Sequence, residues 1–287
     1  MPTPTDTLTG IKVTGAFGKA PKVDFKAPFG IDKTRSMVLI PGTGPETTAD
    51  AVVQVNYVGY NGSTGKSFDD SFARGNPAVF VLSQLVTGFQ TGLTGQKEGS
   101  RVLVAMPGSD GYDPSGGQPT AGIEVGDTLI FVVDIIQTQR TAPEGQPVTP
   151  PATLPVVTPG TGNAAPTIQI PSTPAPTTMQ AQSLIEGTGP KVTADAILLT
   201  HYVGYSWQTG QAIDTKYDSP DQGDLSAAIP GFQKGLVGKP VGSRVLLVLP
   251  PADGYPQGSN NPPVTAGDTV VYVVDILFAV SAASLGG

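Results

Sequence analysis

The sequence predicts two mostly β domains in tandem, and three observations support this prediction. The first is an internal repeat, because Tyr57-Val58-Gly59-Tyr60 recurs as Tyr202 to Tyr205, 145 residues later. The second is that strand-like runs follow in the same order in both copies. The third is an abrupt change to a proline-rich composition between the copies. Because solenoid repeats span only roughly 20 to 50 residues, this much longer period indicates duplication of a whole domain.

Short runs of β-branched and aromatic residues, bounded by Gly, Pro or Asp, predict the strands of each copy. In the first copy these runs are 51–57, 101–105 and 128–134, and in the second copy they are 196–202, 244–249 and 269–276. An alternating segment, Lys22 to Phe25, precedes the first copy, and Pro166 to Ile170 matches it at the same offset. We expect each of these segments to form an extra leading strand at a sheet edge.

One segment in each copy breaks the β pattern. Val86, Phe89 and Leu93 are spaced as one stripe of a helix, and Ile229, Phe232 and Leu236 repeat the spacing. Two glycines lie inside each stripe, and each costs a helix about 1 kcal/mol relative to alanine. Propensity alone therefore favours a loop, whereas the spacing favours a helix.

The segment between the copies is rich in proline. Ten prolines lie between Thr138 and Pro176, and no aromatic residue occurs between Phe131 and Tyr202. Proline fixes φ and lacks an amide donor, so this composition is typical of an extended linker. We predict a first domain at 1–137 with its core at about 36–137, a linker at 138–165 and a second, divergent domain at 166–287.

The composition excludes several classes of protein. A net charge of −7 with sixteen scattered Lys and Arg disfavours nucleic-acid binding. The chain has no cysteine and one histidine, His201, so thiolate sites and histidine-based triads or metal clusters are excluded. We expect no metal and no cofactor. No apolar stretch approaches the roughly 20 residues that cross a bilayer. The first ten residues contain no apolar signal segment, yet the many Thr, Pro and Gly suit an extracytoplasmic or cell-envelope location.

Several motifs of the first copy, read in order over about 95 residues from Pro41 to Ile136, carry a family resemblance. They are Tyr57-Val58-Gly59, Thr64 to Ser71, Leu85 to Phe89 with Gly92-Leu93, Gly99-Ser100-Arg101, Gly111-Tyr112 and Leu129-Ile130-Phe131. This series resembles the FKBP-type peptidyl-prolyl cis-trans isomerases. The second copy matches less fully. The resemblance implies an α+β fold in which a bent antiparallel sheet of about five strands wraps around one short helix in each domain, and it identifies the ambiguous segment as that helix.

The reaction that the resemblance implies needs no nucleophile. Rotation about an X-Pro bond faces a barrier of about 18 to 20 kcal/mol because the planar amide loses its resonance. An apolar cleft that excludes water, with one or two polar anchors, can stabilise the twisted amide more than the planar one. Aromatic and aliphatic side chains with few polar groups are therefore the residue types that this chemistry requires.

The resemblance also implies which residues form the first pocket. The polar anchors and the catalytic wall would be Tyr57, Asp69, Tyr112 and Phe131. The remaining binding residues would be Phe68, Leu85, Val86, Phe89 and Ile123. Tyr112 would donate to a substrate carbonyl, while Asp69 would polarise the amide region or orient Tyr57. Ala78 stands where the family often has phenylalanine, and Gly122 where it often has an aliphatic residue, so we expect a more open cleft with weaker grip on substrate or macrolide.

The second pocket would be formed by the corresponding, more divergent residues. These are Tyr202, Ile213, Asp214, Ala228, Ile229, Phe232, Tyr255 and Tyr272. Ile213 replaces the pocket phenylalanine, and the segment that follows Asp214 is shortened and polar. Proline at position 230 is tolerated in a first helical turn. We therefore expect the second domain to be the slower catalyst.

The resemblance implies that the chain isomerises X-Pro bonds in exposed protein segments, mainly through its first domain. Its partners would be proline-containing polypeptide clients and macrolide ligands, with no nucleic acid and no membrane span, and the chain would be a monomer. The alternative is a binding or chaperone module that holds proline segments without turnover.

Overall fold

The computed structural model describes residues 2–161 and 164–285 and divides the chain into two compact units. The first unit is built from residues up to 139 and the second from residues 140–282. Each unit contains a large antiparallel sheet with one helix of seven residues packed on one face. The expected α+β class with two similar domains is therefore confirmed.

The strands of the first unit follow the predicted runs. They are β1 Ile11–Thr14, β2 Lys22–Phe25, β3 Arg35–Ile40, β4 Val52–Asn61, β5 Ser67–Asp70, β6 Ala78–Val81, β7 Arg101–Met106 and β8 Leu129–Thr138. The sheet order is β3-β7-β8-β4-β5, and β6 also pairs with β4. The first half of β4 pairs with β6 and the second half with β5, so this long strand borders two neighbours on one side.

The strands of the second unit repeat this arrangement, but both edges of the main sheet differ from those of the first. They are β9 Gln146–Pro147, β10 Val156–Thr158, β11 Thr167–Gln169, β12 Gln180–Glu186, β13 Ala196–Ser206, β14 Ala212–Asp224, β15 Arg244–Leu249, β16 Ser259–Asn260, β17 Pro263–Val264 and β18 Val270–Ser281. The main sheet has the order β14-β13-β18-β15-β12-β9. β14 runs continuously where the first unit has two strands separated by the short helix α1, Ser71–Arg74.

The ambiguous segment is helical in both units, as the resemblance implied. The helices are α2, Thr87–Leu93, and α3, Pro230–Leu236. The glycines are explained by packing, because a Cβ at Gly88 would lie 2.6 Å from Met106 and one at Gly92 would lie 2.5 Å from Val104. The close approach of α2 to β7 therefore requires residues that weaken the isolated helix.

The leading strand of the first unit does not join a sheet edge, which corrects the expectation from sequence. β2 pairs only with β1, and the resulting hairpin packs on the face of the main sheet opposite α2. Ile11 is buried there, and Val23 and Phe25 pack against the same cluster. The sheet residues that receive the hairpin are Val58, Leu103, Ala105, Ile130 and Val132. Burial of these apolar side chains against the outer face of the sheet stabilises the hairpin.

The proline-rich segment carries structure that its composition did not predict. β10 and β11 form a hairpin 145 residues after β1 and β2, and Leu154 and Ile168 are buried against the outer face of the second sheet. β9 pairs with β12 at the edge of that sheet. The prolines flank the short strands or lie at the edge, where a missing amide donor costs little. Residues 146–161 and 164–169 thus belong to the second unit, and the boundaries at 137 and 165 stay a prediction.

A buried ion pair ties the leading hairpin to the first sheet. Arg101 on β7 and Asp134 on β8 are 1% and 0% exposed, and the guanidinium binds the carboxylate with distances of 2.6 and 2.8 Å. The guanidinium also donates to the carbonyls of Gly15 and Lys19 in the turn between β1 and β2. The amide of Gly18 donates to Asp134 at 2.7 Å. Each charge is therefore paired and hydrogen-bonded, as burial requires.

None of the helices in the described parts of the chain is long and apolar enough to cross a membrane.

Candidate active site

Aromatic rings converge between α2 and the concave face of the first sheet. The ring of Phe131 on β8 lies 5.2 Å from that of Phe89 on α2 and 5.5 Å from that of Phe68 on β5, both edge to face. The ring of Tyr57 lies 6.3 Å from Phe131 and 6.4 Å from Phe89. Such edge-to-face contacts stabilise an aromatic cluster beyond its buried area. The cluster forms an apolar floor with Phe131 at its centre.

Gly59 makes room for these rings. Its place on β4 puts an added Cβ 2.6 Å from Phe68 and 2.8 Å from Phe131, so only glycine lets both rings lie against the strand. In the second unit an added Cβ at Gly204 would lie 2.5 Å from Tyr272. The repeated Tyr-Val-Gly motif therefore reflects close approach of an aromatic wall to this strand.

A small polar network borders the floor. The hydroxyl of Tyr57 donates to the carboxylate of Asp69, and Arg74 forms an ion pair with the same carboxylate. The guanidinium of Arg74 also lies 5.7 Å from the centre of the Tyr57 ring. Asp70 caps α1 by accepting from the amide of Ala73, and this one-turn helix returns Arg74 to the pocket. The network holds Tyr57 in one orientation.

Burial of Tyr57, reinforced by its hydrogen bond to Asp69, raises the pKa of the phenol to about 12. The ordinary pKa is about 10 in the unfolded chain, so the contribution of Tyr57 to stability is complete below pH 10 and is lost as the pH rises through 12. We expect the stability difference between the wild type and Tyr57→Phe to shrink between pH 10 and 12, measured by urea unfolding. A difference that stays constant over that range would contradict this assignment.

Tyr112 lies at the pocket rim, partly buried against the apolar cluster. Burial, with a smaller effect of Asp69, raises the pKa of its phenol. The hydroxyl is therefore protonated at neutral pH. No other residue in the described ranges hydrogen-bonds this hydroxyl, which leaves its proton available to an acceptor in the pocket.

The structure brings together all nine residues that the sequence predicted for the first pocket. Phe89, Ile123 and Phe131 are buried in one cluster with Tyr57, and Phe68, Leu85, Val86 and Tyr112 pack against it. Asp69 joins this cluster through its hydrogen bond to Tyr57. The catalytic roles of these residues stay predictions, whereas their proximity is a feature of the fold.

Two residues that the sequence reasoning did not name also contact this site. The ring of Phe80 on β6 lies 5.7 Å from Tyr57 and 6.1 Å from Phe89. Phe80 and Ala78 are two residues apart and so share one face of the strand, which was the available signal. Phe80 supplies an aromatic wall beside the position of Ala78. Arg74 carried no comparable signal, because its return to Asp69 depends on α1.

The second unit contains a cavity of about 270 Å³ at the equivalent place. Seven of its predicted residues line the cavity, namely Tyr202, Asp214, Ala228, Ile229, Phe232, Tyr255 and Tyr272. Ile213 packs against the same apolar cluster. In the strand register of the second unit, Gly223 is paired with Leu198 at the place where Phe80 is paired with Val53 in the first unit. Glycine therefore replaces an aromatic ring in the wall of the second pocket. The missing ring accounts for the space.

The second pocket also differs in its polar groups. Tyr272 replaces Phe131, and its hydroxyl lies 3.4 Å from that of Tyr255. Burial is the main cause that raises the pKa of both Tyr202 and Tyr272, and Asp214 adds to each shift. Either hydroxyl can be the donor in this contact, so the phenol of Tyr255 has a hydroxyl neighbour that the phenol of Tyr112 lacks among the residues described by the structure.

Comparison with known proteins supports the assignment of both units. The family model described as "FKBP-type peptidyl-prolyl cis-trans isomerase" matches residues 44–136 and 189–277, more than half of the chain. A "Probable FK506-binding protein" from Corynebacterium glutamicum is 38% identical over 99 residues, which cover 34% of this chain and 80% of the relative. An "FK506-binding protein" from Streptomyces anulatus is 40% identical over 100 residues, covering 33% and 77%.

Among solved structures, that of FkpA from Escherichia coli is 30% identical, covers 37% of this chain and 47% of the other, and has a TM-score of 0.34. The two regions matched by the family model contain both aromatic pockets and both helices. The chain therefore belongs to the FKBP-type peptidyl-prolyl cis-trans isomerases and carries two copies of the family domain in tandem.

Proposed function

We propose that the first unit is the main catalyst and isomerises X-Pro bonds in exposed protein segments. The observation that carries this proposal is the aromatic floor beside an available phenol, Tyr112, and a hydrogen-bonded Tyr57–Asp69–Arg74 network. A proline ring on that floor leaves water, and a twisted amide loses less solvation than a planar one. Preorganised donors then stabilise the twisted state without reorganisation.

The second unit, we propose, binds proline segments and turns them over more slowly. Its cavity has room for a proline ring, which supports binding. Its wall lacks the rings of Phe68 and Phe80, and Tyr255 already has a hydroxyl neighbour, so the twisted amide gains less there. Tethering two such sites in one chain raises the effective concentration of a bound client at the other site.

The proposed partners are proline-containing polypeptides, with macrolides as small-molecule ligands. The proposal of macrolide ligands is supported by the names of two relatives, which are called FK506-binding proteins. We also propose an extracytoplasmic or cell-envelope location, which the abundance of Thr, Pro and Gly supports.

Two matched substitutions in the full chain test the division of labour. Asp69→Ala removes the partner of Tyr57, so we expect kcat/KM on an Ala-Pro peptide to fall about tenfold, or about 1.4 kcal/mol. Asp214→Ala, the equivalent change in the second unit, should lower it less than about twofold. Exchange NMR on the peptide measures both values.

The alternative is a module that binds proline segments without turnover. A full chain that gives no exchange rate above the uncatalysed reaction, while still binding the peptide, would establish this alternative. Equal losses from the two substitutions would instead show that the units contribute equally to catalysis.

A further inference from the structure

Three aspartates of one strand line the cavity of the second unit. Asp214, Asp221 and Asp224 all lie on β14 and line the space above Tyr202, Phe232 and Tyr272. Lysine and arginine are absent from the residues that line this cavity. The second pocket therefore combines an apolar floor with a negatively charged rim.

The first pocket has a different electrostatic character. Its carboxylate, Asp69, is neutralised by Arg74. The strand registers show which residues of the two units are equivalent. Ala78 is paired with Val55 in the first unit, and Asp221 is paired with Thr200 at the same place in the second. In the same way, Val81 is paired with Val52, and Asp224 with Ile197. Ala78, which packs against the first aromatic cluster, thus corresponds to Asp221, and Val81, at the end of β6, corresponds to Asp224.

The nearby cations do not neutralise the rim. Among the residues that the structure describes, no ion pair involves any of the three carboxylates. Lys234 pairs with Asp253 at 2.6 Å, and Lys216 is exposed on β14 and does not line the cavity. Asp224 accepts hydrogen bonds from the amide and hydroxyl of Ser226, which fix its position without removing its charge.

A metal ion does not explain the three aspartates. The described part of the chain contains no cluster of three or more His, Cys, Asp or Glu side chains that could hold a metal. Separated carboxylates beside an apolar cavity instead match a ligand that has an apolar ring and a flexible positive charge. Low-dielectric walls around the cavity strengthen that attraction.

We infer that the second unit selects basic proline segments, in which Lys or Arg stands within two residues of the proline. This inference rests on the proposed binding of proline segments by the second pocket and adds a charge specificity that the first pocket lacks. The proline ring enters the cavity above the rings of Phe232 and Tyr272, which contact each other edge to face. The flexible cation then reaches Asp221 and its neighbours at the rim. The two units then divide clients by charge.

Amide NMR of the ¹⁵N-labelled full chain tests this inference, because Gly59 and Gly204 report on the two pockets separately. The probes are capped Ala-Pro peptides that differ only in Lys, Ala or Glu beside the dipeptide. We expect the second pocket to bind the Lys peptide about tenfold more tightly than the Glu peptide at low salt, and the difference to shrink in 1 M salt, where the screening length is about 3 Å. The first pocket should discriminate less than about threefold.

Asp221→Asn and Asp218→Asn form a matched pair of variants. Both remove one carboxylate from β14, but only Asp221 lines the cavity. We expect Asp221→Asn to reduce the ratio of Lys to Glu affinity at the second pocket at least about threefold, and Asp218→Asn to leave it unchanged.

Equal affinity of the second pocket for the Lys, Ala and Glu peptides would overturn the charge specificity and leave the proposed function intact. If no peptide of any charge shifts the Gly204 amide, the proposed binding by the second unit is wrong as well, and the inference falls with it.

Discussion

Phe131→Ala in the full chain is expected to lower kcat/KM for an X-Pro peptide by about a hundredfold, or about 2.7 kcal/mol. Phe131 is the ring that touches both Phe68 and Phe89, so its loss removes the centre of the floor. Water then reaches the amide, and stabilisation of the twisted state falls more than binding of the planar state. Exchange NMR at saturating and subsaturating peptide separates kcat from KM.

Truncation of a buried phenylalanine also destabilises a core by about 3 to 5 kcal/mol, so two controls accompany this variant. Phe131→Leu retains most of the volume and should fold normally while losing activity. Tyr272→Ala removes the corresponding side chain of the second unit and should lower overall activity less than about twofold. Normal activity in folded Phe131→Leu would show that aromatic character is not needed at this position.

Arg101→Met is expected to destabilise the first unit by about 3 to 5 kcal/mol, because Asp134 would be left charged, buried and without its cation. The substitution also removes the donors that hold the Gly15 and Lys19 carbonyls of the leading hairpin. Urea unfolding followed through the amide signals of β7 and β8 measures the loss in this unit separately.

An exposed ion pair supplies the matched control. Arg35 pairs with Asp32 at 2.9 Å on the surface, and Arg35→Met should leave the unfolding midpoint nearly unchanged. The double variant Arg101→Met with Asp134→Leu should recover much of the stability, because two apolar side chains then replace the buried pair. A loss below about 1 kcal/mol in Arg101→Met alone would contradict the importance of the buried pair.

The sequence by itself determined the duplication and most strands, and the family resemblance that it carries predicted residues for both pockets. Repeats of Tyr-Val-Gly and Gly-Tyr at nearly constant offset reveal two copies without any coordinates. Alternation within runs such as 51–57 specifies which side chains share a face of a strand, because side chains alternate between the two faces of a sheet. The order of these motifs carried the family resemblance, from which the nine residues of the first pocket followed.

Other features were decided only by tertiary structure, because they depend on which distant surfaces meet. The glycines of α2 weaken a helix in isolation and are explained only by the close approach of Met106 and Val104. Arg74 reaches Asp69 only because Asp70 caps a single helical turn between them. Neither contact produces a periodic pattern in the sequence that could predict it.

The proline-rich segment shows the same limit most clearly. Its composition is typical of an extended linker, yet Leu154 and Ile168 pack against an apolar sheet face formed by β13, β15 and β18. Likewise, Gly223 occupies the place in the second unit that Phe80 occupies in the first, and this equivalence explains the cavity only once the register of β13 and β14 is known. Local sequence specifies the preferred face of each segment, whereas burial against residues far along the chain decides where that face packs.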